Sequence, residues 1–383
     1  MPATLHLKPL AQQTIVVTGA SSGIGLATAR MAARRGAAVV LAARNEDALR
    51  QACEQIRNLG GRAEYVVADV ADLAQVEAIA AKAREAFGGF DSWVNDAAVA
   101  IYGKVEDVPL EDHRRLFDVN YFGVVHGSLV ALRTLRERGG ALINIGSVLS
   151  DRALNLQGPY SASKHAVQGI TDALRVELEA EGAPVSVTLI KPSSIDTPYV
   201  EHARNLLDSE GLKVPPPAYD PRLVARAILF ACEHPRRELV VGFGGYAIAL
   251  MGQVAPRLTD LAMEAIGRAT QTVRLRQPPE RRDNLYAPRE DGAERSASRP
   301  TTPVRQTSLF LEAQMHPVAT VATLAGLGAL ALGAATAGRM GAAGRARRYL
   351  MPRLAAAGTR RDAWTGAERL AHEARRRARR MLA

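Results

Sequence analysis

Between residues 10 and 250, short β-branched runs alternate with longer amphipathic stretches. This alternation constrains the fold more than any other feature of the chain. It predicts parallel strands in one doubly wound sheet, with crossover helices on both faces. Strands are expected over 14–18, 38–42, 64–67, 92–95, 141–146, 185–190 and 238–241. Most are continuous apolar runs, as burial of both strand faces requires. Helices are expected over 26–35, 74–87, 116–137 and 160–181. Gly36, Gly88 and Gly182 follow three of them, where a left-handed residue closes a helix.

The first strand runs into Thr18-Gly19-Ala20-Ser21-Ser22-Gly23-Ile24-Gly25 and then into the first helix. A bound pyrophosphate needs backbone N–H groups close by and a helix N-terminus aimed at it. Gly19, Gly23 and Gly25 permit the turn and the close approach, and Ser21, Ser22 and Ile24 bring their amides to the same place. The second expected strand ends in Ala43-Arg44-Asn45, with no acid before Glu46. An acid there would hold the ribose hydroxyls of NAD, whereas Arg44 suits the 2′-phosphate of NADP. NADP(H) is therefore favoured over NAD(H), with a solvated surface arginine as the plainer reading of Arg44. Asp69 ends the third strand, either as an acceptor for the adenine amine or as a cap for the next turn.

Tyr160 and Lys164 stand four residues apart, on one face of a helix. A free phenol ionises near pH ~10, too high for a base at neutral pH. A neighbouring ammonium stabilises the phenolate and makes the hydroxyl a usable acid and base. Ser147 follows the apolar strand Leu142-Ile143-Asn144-Ile145, so its hydroxyl emerges at the carboxyl end of the sheet. Open α/β folds bind ligands at that end, and a donor there steadies charge developing on a substrate oxygen.

The glycine-rich loop, Ser147, the Tyr160/Lys164 pair and Asn120 together resemble the short-chain dehydrogenase/reductase family over roughly residues 10–250. The resemblance implies a Rossmann-type α/β fold in a single catalytic domain, 10–275, with a C-terminal extension. It also implies hydride transfer between a nicotinamide cofactor and a carbonyl or alcohol. In the family, the tyrosine is the general acid/base and the lysine lowers its pKa and binds the nicotinamide ribose. The serine orients the substrate oxygen, and the asparagine completes a proton relay through water. The same matching places Asn95, Pro192, Ile195 and Thr197 at the cofactor, Thr197 at its carboxamide. Two departures stand out. Asn95-Asp96-Ala97-Ala98 replaces the usual Asn-Asn-Ala-Gly, and Pro192-Ser193-Ser194-Ile195-Asp196-Thr197 lacks the usual Pro-Gly. The first adds a Cβ near the cofactor; neither touches the four catalytic positions.

Beyond Thr197 the chain carries Tyr199, His202, Leu206, Leu207 and three consecutive prolines from Pro215. They suggest an irregular lid and a hydrophobic substrate, with His202 in the lid rather than in catalysis. Residues 246–254 are apolar and line either the pocket or a partner surface, or form a core helix.

Charge divides the chain. Residues 1–280 hold 30 basic and 31 acidic side chains, and residues 281–383 hold 19 and 8. Residues 276–316, rich in Arg, Pro, Ser and Thr, are expected to be a disordered linker. Residues 317–338 form an apolar Ala/Gly-rich segment, and 339–383 a basic Ala/Arg-rich helical tail. Positions 318–338 are long enough to span a bilayer, but a basic flank and a cytosolic enzyme domain would need opposite sides. A peripheral anchor on the inner face of a membrane reconciles the two; nucleic-acid binding is disfavoured, and a solvated helix stays open. Cys53 and Cys232 show no metal-ligand spacing, and the N-terminus lacks a secretory run, so a cytoplasmic place is expected. A homo-oligomer is expected from the resemblance. A cofactor sensor or scaffold whose basic tail binds a membrane or a partner is the alternative to an enzyme.

Overall fold

The computed structural model describes residues 5–208, 210–274, 282–289, 292–297, 303–323 and 325–326. Seven parallel strands make the central sheet: β1 (Thr14–Thr18), β2 (Ala38–Ala43), β3 (Arg62–Val67), β4 (Ser92–Asn95), β5 (Gly140–Ile145), β6 (Val185–Pro192) and β7 (Glu238–Val241). Their spatial order is β3-β2-β1-β4-β5-β6-β7. The order reverses between β1 and β4, which opens a crevice above the carboxyl ends of those strands. β1, β2, β4 and β6 are buried at every position, because helices cover both faces. The doubly wound Rossmann-type fold read from the sequence is the fold observed.

The crossover helices are α1 (Gly23–Arg34), α2 (Glu46–Asn58), α3 (Leu73–Phe87), α4 (Leu110–Phe117), α5 (Gly123–Arg138), α6 (Gly158–Ala180) and α7 (Pro221–Glu233). Gly36, Gly88 and Gly182 all have positive φ, as their helix-ending positions predicted. The single helix expected over 116–137 is instead α4 and α5 joined by a π-helical turn, Asp118–Phe122. Apolar spacing gives no warning of such a turn, since the helix axis barely changes.

After β7 come α8 (Phe243–Val254) and α9 (Pro256–Gln271). One face of α8, with Gly244, Gly245, Ile248 and Ala249, walls the main cavity, while Phe243, Leu250, Met251 and Val254 are exposed. Within 246–254, Ile248 and Ala249 realise the pocket-lining reading.

The described residues between 282 and 315 correct the expectation of a free linker. They belong to the same compact unit as the sheet, Met1–Met315. Leu285 is fully buried in the core beneath β1, β2 and β4, and Leu311 and Met315 are buried against the other face. Glu294 pairs with Arg30 at 2.8 Å and Arg222 at 3.1 Å, and Arg295 pairs with Asp220. The short helix α10 (Leu309–Met315) closes the sheet edge. Its Gln314 amide accepts from the Val240 N–H and donates to the Val240 carbonyl, both at 2.9 Å. Both open backbone groups of Val240 on this edge strand are thus satisfied by one side chain. A handful of anchors among polar residues leaves no periodicity to read, which is why composition suggested disorder.

The apolar stretch 318–338 falls within the described residues only at 318–323 and 325–326, and the tail 339–383 lies outside them. Among the described residues, no helix is long and apolar enough to cross a membrane.

Candidate active site

A single cavity of about 460 Å³ runs from the glycine-rich loop across the carboxyl ends of β1, β4 and β5 to α8 and α9. Gly19, Ser21, Ser22, Gly23, Ile24, Arg44 and Asp69 line one end. Gly19 has φ +70°, and a Cβ there would lie 2.8 Å from the Ala97 backbone. At Gly25 a Cβ would come within 2.4 Å of the Gly19 carbonyl oxygen. Gly25 therefore lets the loop fold on itself and does not line the cavity. The result is a tight turn whose backbone comes close to the cavity at the N-terminus of α1, a shape that fits a dinucleotide pyrophosphate.

The residues after 282 form a strap over this end. Arg44 donates to the carbonyls of Tyr286 (3.1 Å), Leu285 (3.4 Å) and Asn284. The Gly23 N–H donates to the Ala293 carbonyl at 2.9 Å. Asn45, the N-cap of α2, donates to the Arg289 carbonyl. Asn284, Pro288 and Arg289 add their side of the wall. Burial lowers the Arg44 pKa, with Asp69 opposing and Arg115 reinforcing the effect. Asp69 caps the next turn, one oxygen accepting from the Ala71 N–H at 3.0 Å; the other accepts from Arg115 at 2.5 Å, and the residue borders the cavity. The strap's part in this wall was missed from sequence, where only the isolated Leu285 hints at an anchor.

Mid-cavity, the four family positions converge in two layers. Ser147, Tyr160 and Lys164 line the cavity. Ser147 caps a 3-10 turn, its hydroxyl accepting from the Leu149 N–H at 3.0 Å. The Lys164 ammonium donates to the Ile145 carbonyl at 2.8 Å and lies 5.6 Å from the Tyr160 ring centre. Burial lowers its pKa to about 8, with Asp96 opposing. Burial also pushes the Tyr160 phenol upward, with Tyr199 and Ser147 opposing and Asp96 reinforcing the effect. Asn120 sits behind this layer, fully buried. Its amide accepts from the Val99 N–H at 2.8 Å and donates to the Val99 carbonyl and the Ser163 hydroxyl, both at 3.0 Å. The side chain thus pins the segment after β4, and the π-helical turn carries it there.

The Asn95 side chain accepts from the Trp93 indole at 2.8 Å and donates to Asn144 at 2.9 Å, inside the sheet, and does not line the cavity. The neighbouring Asp96, which the departure from the family pattern exposed without a role, is the one that borders the cavity. Its carboxyl is raised by burial to about 7, with Lys164 and the Gly25 N–H opposing. Ala97 and Ala98 line the same stretch, and Pro192, Ile195 and Thr197 face them from the end of β6.

The far end is mostly apolar: Tyr102, Val148, Leu149, Leu154, Pro215, Ile248, Met263 and Ile266 line it, together with Arg152, Gln157 and Thr270. His202 also borders the cavity, within the single turn Tyr199–His202.

The family model described as short chain dehydrogenase matches residues 13–207. The chain is 48% identical over 284 residues to the uncharacterized oxidoreductase YxnA of Bacillus subtilis, covering 74% of this chain and 80% of that protein. It is 35% identical over 228 residues to an uncharacterized oxidoreductase of Staphylococcus aureus, covering 59% of this chain and 94% of that one. Among solved structures, it resembles a short-chain dehydrogenase/reductase of Burkholderia phymatum in complex with NAD. That similarity has a TM-score of 0.60 and 27% identity, over 66% of this chain and 96% of the other. An alcohol dehydrogenase from the archaeon Thermococcus sibiricus, complexed with 5-hydroxy-NADP, gives a TM-score of 0.53 and 26% identity, over 60% of this chain and 95% of that one. The chain belongs to the short-chain dehydrogenase family. It is a dehydrogenase/reductase by that membership.

Proposed function

We propose that the chain transfers hydride between NADP(H) and the carbonyl or hydroxyl carbon of an apolar substrate, with Tyr160 moving the proton. One observation carries the proposal: Tyr160, Ser147 and Lys164 stand together midway along a cavity with a pyrophosphate cradle at one end and an apolar chamber at the other. When bound, the nicotinamide supplies the hydride donor or acceptor. Tyr160 gives its proton to the substrate oxygen in reduction and takes it back in oxidation. Ser147 orients that oxygen, and Lys164 holds positive charge beside the phenol, favouring phenolate when the proton leaves. Asn120, with its amide committed to Val99 and Ser163, serves the relay through the backbone of its π-helical turn.

At the nucleotide end, Gly19 and Ser21 to Ile24 hold the pyrophosphate, and Pro192, Ile195 and Thr197 border the nicotinamide. Arg44 supports the preference for NADP(H). A 2′-phosphate is a charged acceptor and bonds a guanidinium more strongly than the neutral strap carbonyls do. The apolar lining beyond Tyr160 supports a hydrophobic substrate.

Replacement of Tyr160 by Phe tests the mechanism. Turnover is expected to fall by roughly 10²–10⁴-fold, the usual worth of positioned acid–base catalysis. NADPH affinity, read by nicotinamide fluorescence, should stay nearly intact. Undiminished turnover would remove Tyr160 from the mechanism.

A further inference from the structure

The strap after residue 282 brings a cation of its own to the nucleotide end of the cavity. Arg289 lies beyond the stretch 13–207 matched to the family, yet it lines the same cavity as the glycine-rich loop. Its main chain is fixed beside the end of β2, where its carbonyl accepts from the Asn45 side chain. Its side chain reaches the segment after β6. There Nη1 donates to the Glu201 carbonyl at 2.8 Å, and it also donates to the Arg282 carbonyl at 3.0 Å. β2 and β6 stand on opposite sides of β1, whose carboxyl end carries the glycine loop. Arg289 therefore joins the two banks of the crevice in which the loop sits.

What Arg289 lacks is an anion. The other arginines that hold the strap pair with carboxylates: Arg115 with Asp69, Arg204 with Asp112 and Asp283, Arg222 with Glu294, and Arg295 with Asp220. Arg289 forms no ion pair among the described residues, and its Nε and Nη2 have no acceptor there. The carboxylate of Glu201 is turned to the Ser296 hydroxyl. A half-buried guanidinium bonded only to neutral carbonyls keeps most of its fork open to an anion. The strap also takes the Gly23 N–H for its own Ala293 carbonyl, which withdraws one loop amide from a phosphate.

A pyrophosphate held by backbone amides at a helix N-terminus keeps negative charge that a planar fork of donors matches. We infer that Arg289 is a cofactor-binding residue that clamps the pyrophosphate from the strap, making up the donor that the strap withdraws. Nη1 stays on the two carbonyls and holds the fork in place, while Nε and Nη2 serve the phosphates. Arg44 and Arg289 then divide the nucleotide between them. Arg44 acts on the 2′-phosphate, which NADP(H) alone carries. The pyrophosphate is common to NADPH, NADH and ADP-ribose, so Arg289 acts on all three.

The inference rests on the glycine loop as the pyrophosphate site, and the probes separate the two. ADP-ribose has the pyrophosphate without the nicotinamide or the 2′-phosphate, and it binds without turnover. By calorimetry on the full-length protein, Arg289→Gln should weaken ADP-ribose, NADH and NADPH by one common factor, about tenfold to a hundredfold. Glutamine keeps a donor for the Glu201 carbonyl and loses the charge. Arg289→Lys, which keeps the charge without the fork, should recover part of the loss. Added salt should weaken ADP-ribose binding less in Arg289→Gln than in the unaltered protein, because a screened charge has gone. A strut that only steadied the strap would leave that salt dependence as it was. Unchanged ADP-ribose affinity, a loss confined to NADPH, or an unchanged salt dependence overturns the inference. Unaltered protein that binds none of the three nucleotides removes the pyrophosphate site itself, and the clamp with it.

Discussion

The glycine-rich loop and the strap after residue 282 lie against each other across the nucleotide end of the cavity, yet they are built on opposite principles. The loop works through local geometry. Gly19, Gly23 and Gly25 fall within seven residues; Gly19 and Gly23 have positive φ, and Gly25 leaves room for the Gly19 carbonyl. The strap works through distant anchors: Leu285 in the core, Glu294 between two arginines, and backbone carbonyls offered to Arg44. Contiguous constraints leave a motif in the sequence, whereas scattered ones leave only composition. The difference shows that half of a binding wall can be absent from any motif.

Leu285→Ala is the severest way to break the comparison. If the strap is part of the folded core, losing this fully buried side chain should cost about 2–5 kcal/mol in urea unfolding. A loss under about 0.5 kcal/mol, ordinary for a surface site, would mean that the strap rests on the domain without belonging to it.

Arg44→Ala sharpens it next. NADPH should bind about tenfold to a hundredfold more weakly, the worth of a charged hydrogen bond or two, while NADH changes little. Equal weakening of both nucleotides, with faster amide exchange over 284–286, would assign Arg44 to the strap and not to a phosphate. Gly25→Ala attacks the loop itself. Its Cβ would meet the Gly19 carbonyl, and overpacking of this kind costs about 1–3 kcal/mol. The loss should appear as weaker binding of NADPH and NADH alike; unchanged affinity would mean that the loop has room to spare.

The smallest effect is expected at Asp96→Asn. The carboxylate opposes the burial that lowers Lys164 to about 8, so its removal should lower the lysine further. Lys164 would then lose its charge at a lower pH, and the alkaline limb of the pH profile should move down. Movement upward would contradict the placement of Asp96 beside Lys164.

Much of the site was legible because its chemistry sits in short spacings. Tyr160 and Lys164 share a helix face by periodicity alone, and Ser147 follows a strand whose end is fixed by the sheet. What escaped depends on partners far along the chain. Trp93 and Asn144 hold the Asn95 side chain inside the sheet, and only the register of β4 against β5 brings Asn144 beside it. The π-helical turn at Asn120 is a one-residue change of hydrogen bonding that apolar spacing cannot register. Gln157 and Gln271, which meet across 114 positions, read as ordinary polar residues until α9 folds back.

The hydrogen bond from Arg44 to the strap closes a span of 240 residues. On the ribosome, the glycine loop and its arginine emerge early, while the strap emerges only after every strand of the sheet. Contacts between such distant positions form late, because the chain between them must first be ordered. A sheet finished before the strap is made would carry a nucleotide cleft open on one side. Nucleotide present at that stage meets an unguarded Arg44, and the last segment made settles against a cleft that is already filled. The order of synthesis would then decide which acceptor the arginine meets first.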